Sequence, residues 1–293
     1  MKKYIYIIFF AFCTISCTKE VVLDDILDAT PRLVVEASID WNKNDDEASK
    51  TQTIKLTKST PYYSQDYPIV TDAIITVTNS SNESMGTFAY NTNQQLYVAT
   101  DFNKPTVGET YTLKIEVEGQ TYTAQDTYTS IENPNYIKQG LNRDIDSEGI
   151  IQVDLNIDNE IGVDNFFLLK VEPPTIVSVL PEYSNADDSL FSEVPGENNY
   201  DFTYFEEELE PGDLLKISTY GISSRYNDFL NKILLTAGGS NGPFSTAPAT
   251  IRGNLLNETE EENRAFGYFS MNEYVYIEYI VKEKSDEEII TEL

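Results

Sequence analysis

The chain has no histidine, and its only two cysteines, Cys13 and Cys17, fall within the first seventeen residues. Without an imidazole there is no Ser-His-Asp or Cys-His triad and no histidine metal ligand. Without a thiol beyond residue 17 the folded body has no disulfide, no thiolate metal site and no cysteine nucleophile. Positive charge is scarce too, with 20 basic residues against 49 acidic ones and a net charge of −29. A surface of that sign repels phosphate backbones, so no nucleic-acid partner is expected. It also repels an anionic bilayer, so any membrane attachment must be covalent or hydrophobic. We read the acidity chiefly as a solubilising device.

The first residues have the grammar of an exported protein. Lys2 and Lys3 precede the apolar run 4–12, YIYIIFFAF, which is shorter than the roughly 20 residues a membrane-spanning helix needs. The run ends in Thr14-Ile15-Ser16-Cys17, a small residue directly before a cysteine, which resembles the lipobox of bacterial lipoproteins. The resemblance implies cleavage after Ser16, a signal peptide over 1–16, and palmitate-type acyl chains on Cys17. Residues 17–30 form an acidic tether, and Thr18-Lys19-Glu20 followed by Asp24-Asp25 resembles the surface-export tract of Bacteroidetes lipoproteins. That address is the outer membrane, lipid-anchored and exposed at the cell surface.

Beyond the tether the chain is rich in strand formers. It holds 20 tyrosines, which with Thr, Val and Ile suit half-buried pleated surfaces. Alternation of apolar and polar residues predicts strands over 32–39, 53–57, 73–78, 87–90, 95–99, 111–117 and 121–124, the last two as a hairpin across Glu118-Gly119. Seven short strands in about a hundred residues predict an immunoglobulin-like or prealbumin-like β-sandwich over 31–130. Ile131-Glu132-Asn133-Pro134-Asn135 breaks the pattern and marks a boundary. A second antiparallel β domain is expected over 131–283, with strands at 150–157, 166–171, 202–205 and 214–220. Residues 166–171 are apolar enough for a central strand, and 180–200 read as a long loop. One amphipathic helix is expected over 224–236, with Tyr226, Phe229, Leu230, Ile233 and Leu234 on the face that packs on the sheet. Residues 265–270 and 273–281 read as a closing strand pair, and 284–293 as a charged, frayed tail. The fold class is therefore mainly β.

Two stretches carry a family resemblance. Residues 243–255, PFSTAPATIRGNL, followed by Ala265-Phe266-Gly267-Tyr268-Phe269, are similar to the C-terminal signature of a Bacteroidetes outer-membrane lipoprotein family known as domain of unknown function 4249. Residues 31–37, PRLVVEA, resemble the start of that family's body. Members are typically encoded beside TonB-dependent outer-membrane receptors. The resemblance thus implies such a receptor as partner and a non-catalytic accessory role in substrate capture or uptake. A structural or adhesive surface role is the alternative.

Several constellations invite chemistry. Glu206-Glu207-Glu208 with Glu210, and Glu258 with Glu260-Glu261-Glu262, contain the paired carboxylates a glycosidase would use, but such runs are usually solvated faces. Asp154, Asp158, Asn159, Glu160 and Asp164 could offer oxygens to Ca²⁺, yet they do not follow an EF-hand loop, and we assign no metal and no cofactor. Gly238-Gly239-Ser240-Asn241-Gly242 follows a helix rather than preceding one, which disfavours phosphate binding there. Tyr62, Tyr63 and Tyr67, in a Pro-flanked loop, are the contact candidates for a sugar or a partner, ahead of Tyr274, Tyr276 and Tyr279, which read as strand packing. Asp188-Ser189-Leu190 resembles a short O-glycosylation sequon, making Ser189 a glycosylation candidate. No catalytic set emerges, and we read the chain as not an enzyme.

Overall fold

A computed structural model describes residues 30–61, 64, 67–144, 146–158, 164–174, 181–187, 199–237 and 251–293. The expected signal segment, Cys17 and nearly all of the expected acidic tether lie outside the described residues. The chain is mainly β, with one helix among the described residues. In the first half run β1 (Leu33–Asn42), β2 (Ser49–Lys58), β3 (Ile74–Thr78), β4 (Ala89–Asn91), β5 (Leu96–Asn103), β6 (Thr110–Val117) and β7 (Gln120–Thr127). There follow β8 (Tyr136–Asn142), β9 (Ile150–Asp158), β10 (Phe166–Glu172), β11 (Glu182–Asp187), β12 (Asn199–Phe205) and β13 (Leu214–Gly221). Helix α1 (Ser224–Ala237) leads to β14 (Leu256–Asn257), β15 (Phe266–Ile280) and β16 (Ile289–Glu292).

One eight-stranded sheet, in the order β11-β10-β13-β15-β1-β2-β5-β4, is the backbone of the molecule. Two four-stranded sheets, β14-β7-β6-β3 and β12-β9-β8-β16, complete it. In β1 the residues Leu33, Val35, Ala37, Ile39 and Trp41 are all buried, while the intervening Glu36 and Ser38 are exposed, the period-two pattern of a strand with one face in a core. The first core joins these residues to Tyr111, Leu113, Ile115 and Tyr122 from β6 and β7. The second joins Ile151, Val153 and Leu155 of β9 to Leu215 and Ile217 of β13. Strand β15 serves both: Phe269 and Met271 belong to the first core, Val275, Ile277 and Tyr279 to the second. These are all odd-numbered residues of one strand, so both small sheets pack on the same face of the large one.

Where the two cores meet, Glu273 is stitched in by two partners that also hold each other. Its carboxylate accepts from the Ile131 N–H at 3.2 Å, and Lys43 Nζ lies 3.6 Å away while also donating to the Ile131 carbonyl.

Three expectations need correction. Residues 265–270 and 273–281 are not a strand pair but one continuous strand, β15, which runs parallel to β1 from Val34↔Phe266 to Asn42↔Tyr274. The apparent break arises because residues 268–273 are buried on both faces and lose their alternation. The β1–β15 pairing joins the two expected domains; the strand ladders within 131–283 are antiparallel, as expected. The stretch 180–200 is not wholly loop: β11 pairs with β10 along its length. The tail is not frayed, because β16 forms an edge strand on β8 from Ile289↔Gln139 to Glu292↔Tyr136, and Lys284 Nζ donates to the Gly149 carbonyl at 3.0 Å. Strand 166–171 is interior to its sheet, as its apolar character indicates.

Candidate ligand groove

Helix α1 sits on the opposite face of the large sheet, away from both cores. Ser223 caps it by accepting from the Tyr226 N–H at 3.2 Å. Its first turns carry Tyr226 and Phe229, three positions apart and therefore on one side. Both meet Tyr268 of β15, with centroid separations of 4.8 and 4.9 Å. Farther across the sheet, Asn185 of β11 donates its amide to Asn227 and Asn231, which fixes the helix laterally.

Between the helix and the outward residues of β1 and β2 lies a groove of about 540 Å³. One wall is the Tyr226–Tyr268–Phe229 stack with Ile233. The floor is polar: Asp40 accepts from Ser38 Oγ and from Asn272 Nδ2, each at 2.8 Å, and Ser38 and Ser270 hydroxyls lie 3.0 Å apart. The far wall carries the Glu36–Lys55 ion pair at 3.1 Å, with Thr53 and Leu96 beside it. Asp40 is half-buried as a residue, but its carboxyl lies deep. Burial pushes that carboxyl above the ordinary value, against the hydrogen bonds from Asn272 and Ser38 and the charge of Lys170. Burial, then the Asp40 charge, likewise holds the Tyr226 and Tyr220 phenols protonated. Aromatic faces beside clustered hydroxyl, amide and carboxyl groups suit a ligand with an apolar flat side and hydroxyl edges.

The other candidates are dispersed. Tyr62 and Tyr63 lie outside the described residues, and Tyr67 is 66% exposed. Tyr274 stacks on Tyr220 at 5.3 Å, continuing the aromatic face beyond the groove. Tyr276 is exposed and donates to Glu278 at 2.8 Å, whereas Tyr279 is a core residue that donates to Gln139 at 2.9 Å. Asp154 is buried and occupied by Lys138 at 3.3 Å and Thr203 at 2.7 Å. Asp158 and Asp164 are exposed, and Asn159 and Glu160 lie outside the described residues. No group of three metal-ligating side chains occurs among the described residues. Of the acidic run, Glu206 faces Glu182. Burial, then the hydrogen bond and charge of Glu206, raises Glu182 to about 7. Ser189 and the 238–242 glycine loop lie outside the described residues. Sequence reasoning missed the groove: it took Tyr226 and Phe229 as ordinary packing, and nothing local to them points to Tyr268.

No curated protein matches the chain. Among solved structures, the crystal structure of chicken CNTN1 FN1-FN3 domains aligns at 11% identity and a TM-score of 0.19. That alignment covers 66% of this chain and 60% of the chicken one. The family model for the domain of unknown function DUF4249 matches residues 19–275, and the chain belongs to that family.

Proposed function

We propose that this chain is a non-catalytic capture module of a Bacteroidetes-type cell surface. It is held at the outer membrane by acyl chains on Cys17 and works beside a TonB-dependent receptor. The observation that carries the capture reading is the groove under α1, where the Tyr226–Tyr268–Phe229 wall stands over the Asp40 floor. The lipobox-like end of the leader supports the anchor, and the family likeness supports the receptor. Each buried methylene of an acyl chain contributes about 0.8 kcal/mol to anchoring. Tethering raises the concentration of the groove near its receptor without any new contact.

The test is affinity purification of the tagged full chain from outer membranes. A TonB-dependent receptor is expected among the stoichiometric partners, and Cys17→Ala is expected to leave the membrane fraction. A partner set without such a receptor sinks the accessory role. A structural or adhesive role is the second reading, favoured by exposed Tyr276, Ile280 and Leu214 on the open half of the large sheet. A deletion strain that keeps uptake but loses attachment selects it.

A further inference from the structure

We propose that a second pocket, lined by Arg32, Arg252 and Arg264, binds the phosphoryl group of a phosphorylated ligand. The chain has only five arginines among 49 acidic residues, and three of them line this one pocket of about 250 Å³. Within the lining a single carboxylate, Glu262, offsets them, and Glu261 reaches Arg264 from outside it, leaving an excess of one to two positive charges. That excess matches a phosphate monoester, which carries between about −1.5 and −2 at neutral pH. Guanidinium forks also fit phosphate oxygens two at a time.

The pocket is built, not incidental. A Cβ on Gly253 would stand 1.6 Å from the Gly267 carbonyl oxygen, so the backbone that carries Arg252 is pressed directly on β15. Asn254, next along, is tied to Phe269 by two hydrogen bonds. Arg32 is fixed by its N–H donating to Ser59 Oγ at 2.9 Å, and its guanidinium lies 5.6 Å from the Phe266 ring centroid. Arg264 has one ion pair, at 3.4 Å to Glu261, whose side chain is 85% exposed, an arrangement worth little in water. Arg32 and Arg252 have no ion pair among the described residues, in a chain with an abundance of carboxylates. Two guanidiniums thus stand ready for an anion from outside.

Two sources share this chemistry. One is a soluble phosphate ester. The other is a lipid headgroup, because Arg32 lies fifteen residues from Cys17, a span of at most about 50 Å for extended chain. The site itself does not depend on the capture reading.

The experiment follows ³¹P resonances with the full chain in uncharged detergent micelles, titrated with inorganic phosphate or with micelles doped with phosphatidic acid. Saturable shifts are expected, and affinity should fall about tenfold or more in Arg252→Gln and in Arg32→Gln. Arg143→Gln removes the same charge from an arginine outside the pocket, paired with Asp286, and should leave affinity unchanged. A response to inorganic phosphate assigns a soluble ligand. A pocket-dependent response to phosphatidic acid alone assigns a headgroup. If neither resonance moves, or if Arg252→Gln and Arg143→Gln behave alike, the site is overturned. Arg252 is exposed, so its replacement leaves the fold intact, which a thermal melt checks.

Discussion

Asn254 serves Phe269 as a neighbouring strand would. Its side-chain oxygen accepts from the Phe269 N–H at 3.0 Å, and its Nδ2 donates to the Phe269 carbonyl at 2.7 Å. Beside it, Asp126 accepts from the Met271 N–H at 3.1 Å, and the Thr129 N–H reaches the Met271 carbonyl. The edge of β15 that β13 does not reach is thereby sealed by side chains and one short bridge. Asn254→Ala should cost about 2–4 kcal/mol, because it strands a buried donor and a buried acceptor together. Urea denaturation of the variant measures this, and a loss below about 0.5 kcal/mol would show that the two bonds are not needed.

Gly267 tests how closely β15 must approach β1. Its φ is +92°, and a Cβ there would lie 1.9 Å from the Val35 carbonyl oxygen. Gly212 has a similar φ of +95° with nothing within 4 Å. Gly212→Ala should therefore cost only the backbone penalty, about 1–2 kcal/mol. Gly267→Ala should cost about 3 kcal/mol or more, since backbone has to move as well. Equal melting temperatures for the two variants would refute the difference.

Asp126 makes stability depend on pH. Burial raises its carboxyl to about 6, against hydrogen bonds from Ser223 and the Met271 and Thr127 N–H groups and the charge of Arg225. The unfolded group ionises near its ordinary value, so between pH 4 and pH 6 the unfolded state binds fewer protons than the folded one. The favourable contribution is fully present below about pH 4 and is lost as pH rises through about 6. Asp126→Asn should remove this fall. Its advantage over the wild type should grow across that window to about 2–3 kcal/mol. Parallel denaturation curves at pH 4, 5 and 7 measure the trend, and an advantage that shrinks with rising pH contradicts it.

Removing residues 284–293 should uncover the edge of β8. The deletion takes away the β16 ladder, the Lys284 bond to Gly149 and the Arg143–Asp286 pair. Hydrogen exchange along Tyr136–Asn142 should accelerate while exchange in β6 and β7 stays slow. Unchanged protection in β8 would mean that the tail strand contributes nothing to its order.

How much of this was legible in the sequence varied with how each segment is buried. Strands β1 and β6 bury one face and expose the other, so their alternation reads directly. Helix α1 begins where its capping serine and aromatic spacing place it, and ends one residue later than expected. Strand β15 hid its continuity because residues 268–273 are buried on both faces. Strands β11 and β16 hid because their polar residues sit at sheet edges, where pairing rather than burial holds them. The groove and the arginine pocket were illegible for a different reason. Tyr226 meets Tyr268, and Arg32 joins Arg252 and Arg264, only through contacts far apart along the chain.

The parallel register of β1 on β15 has a mechanical consequence. The segment that leads in from the proposed anchor enters the fold at Leu33, and nine consecutive residue pairs then lock β1 to β15, with β2 along its other edge. A tug at that entry, directed along the strand, strains the whole ladder at once in shear. It does not peel the pairs apart one after another. A chain held by the proposed anchor and dragged by flow, or by a bound cargo, would thus resist at the seam through which that anchor transmits force.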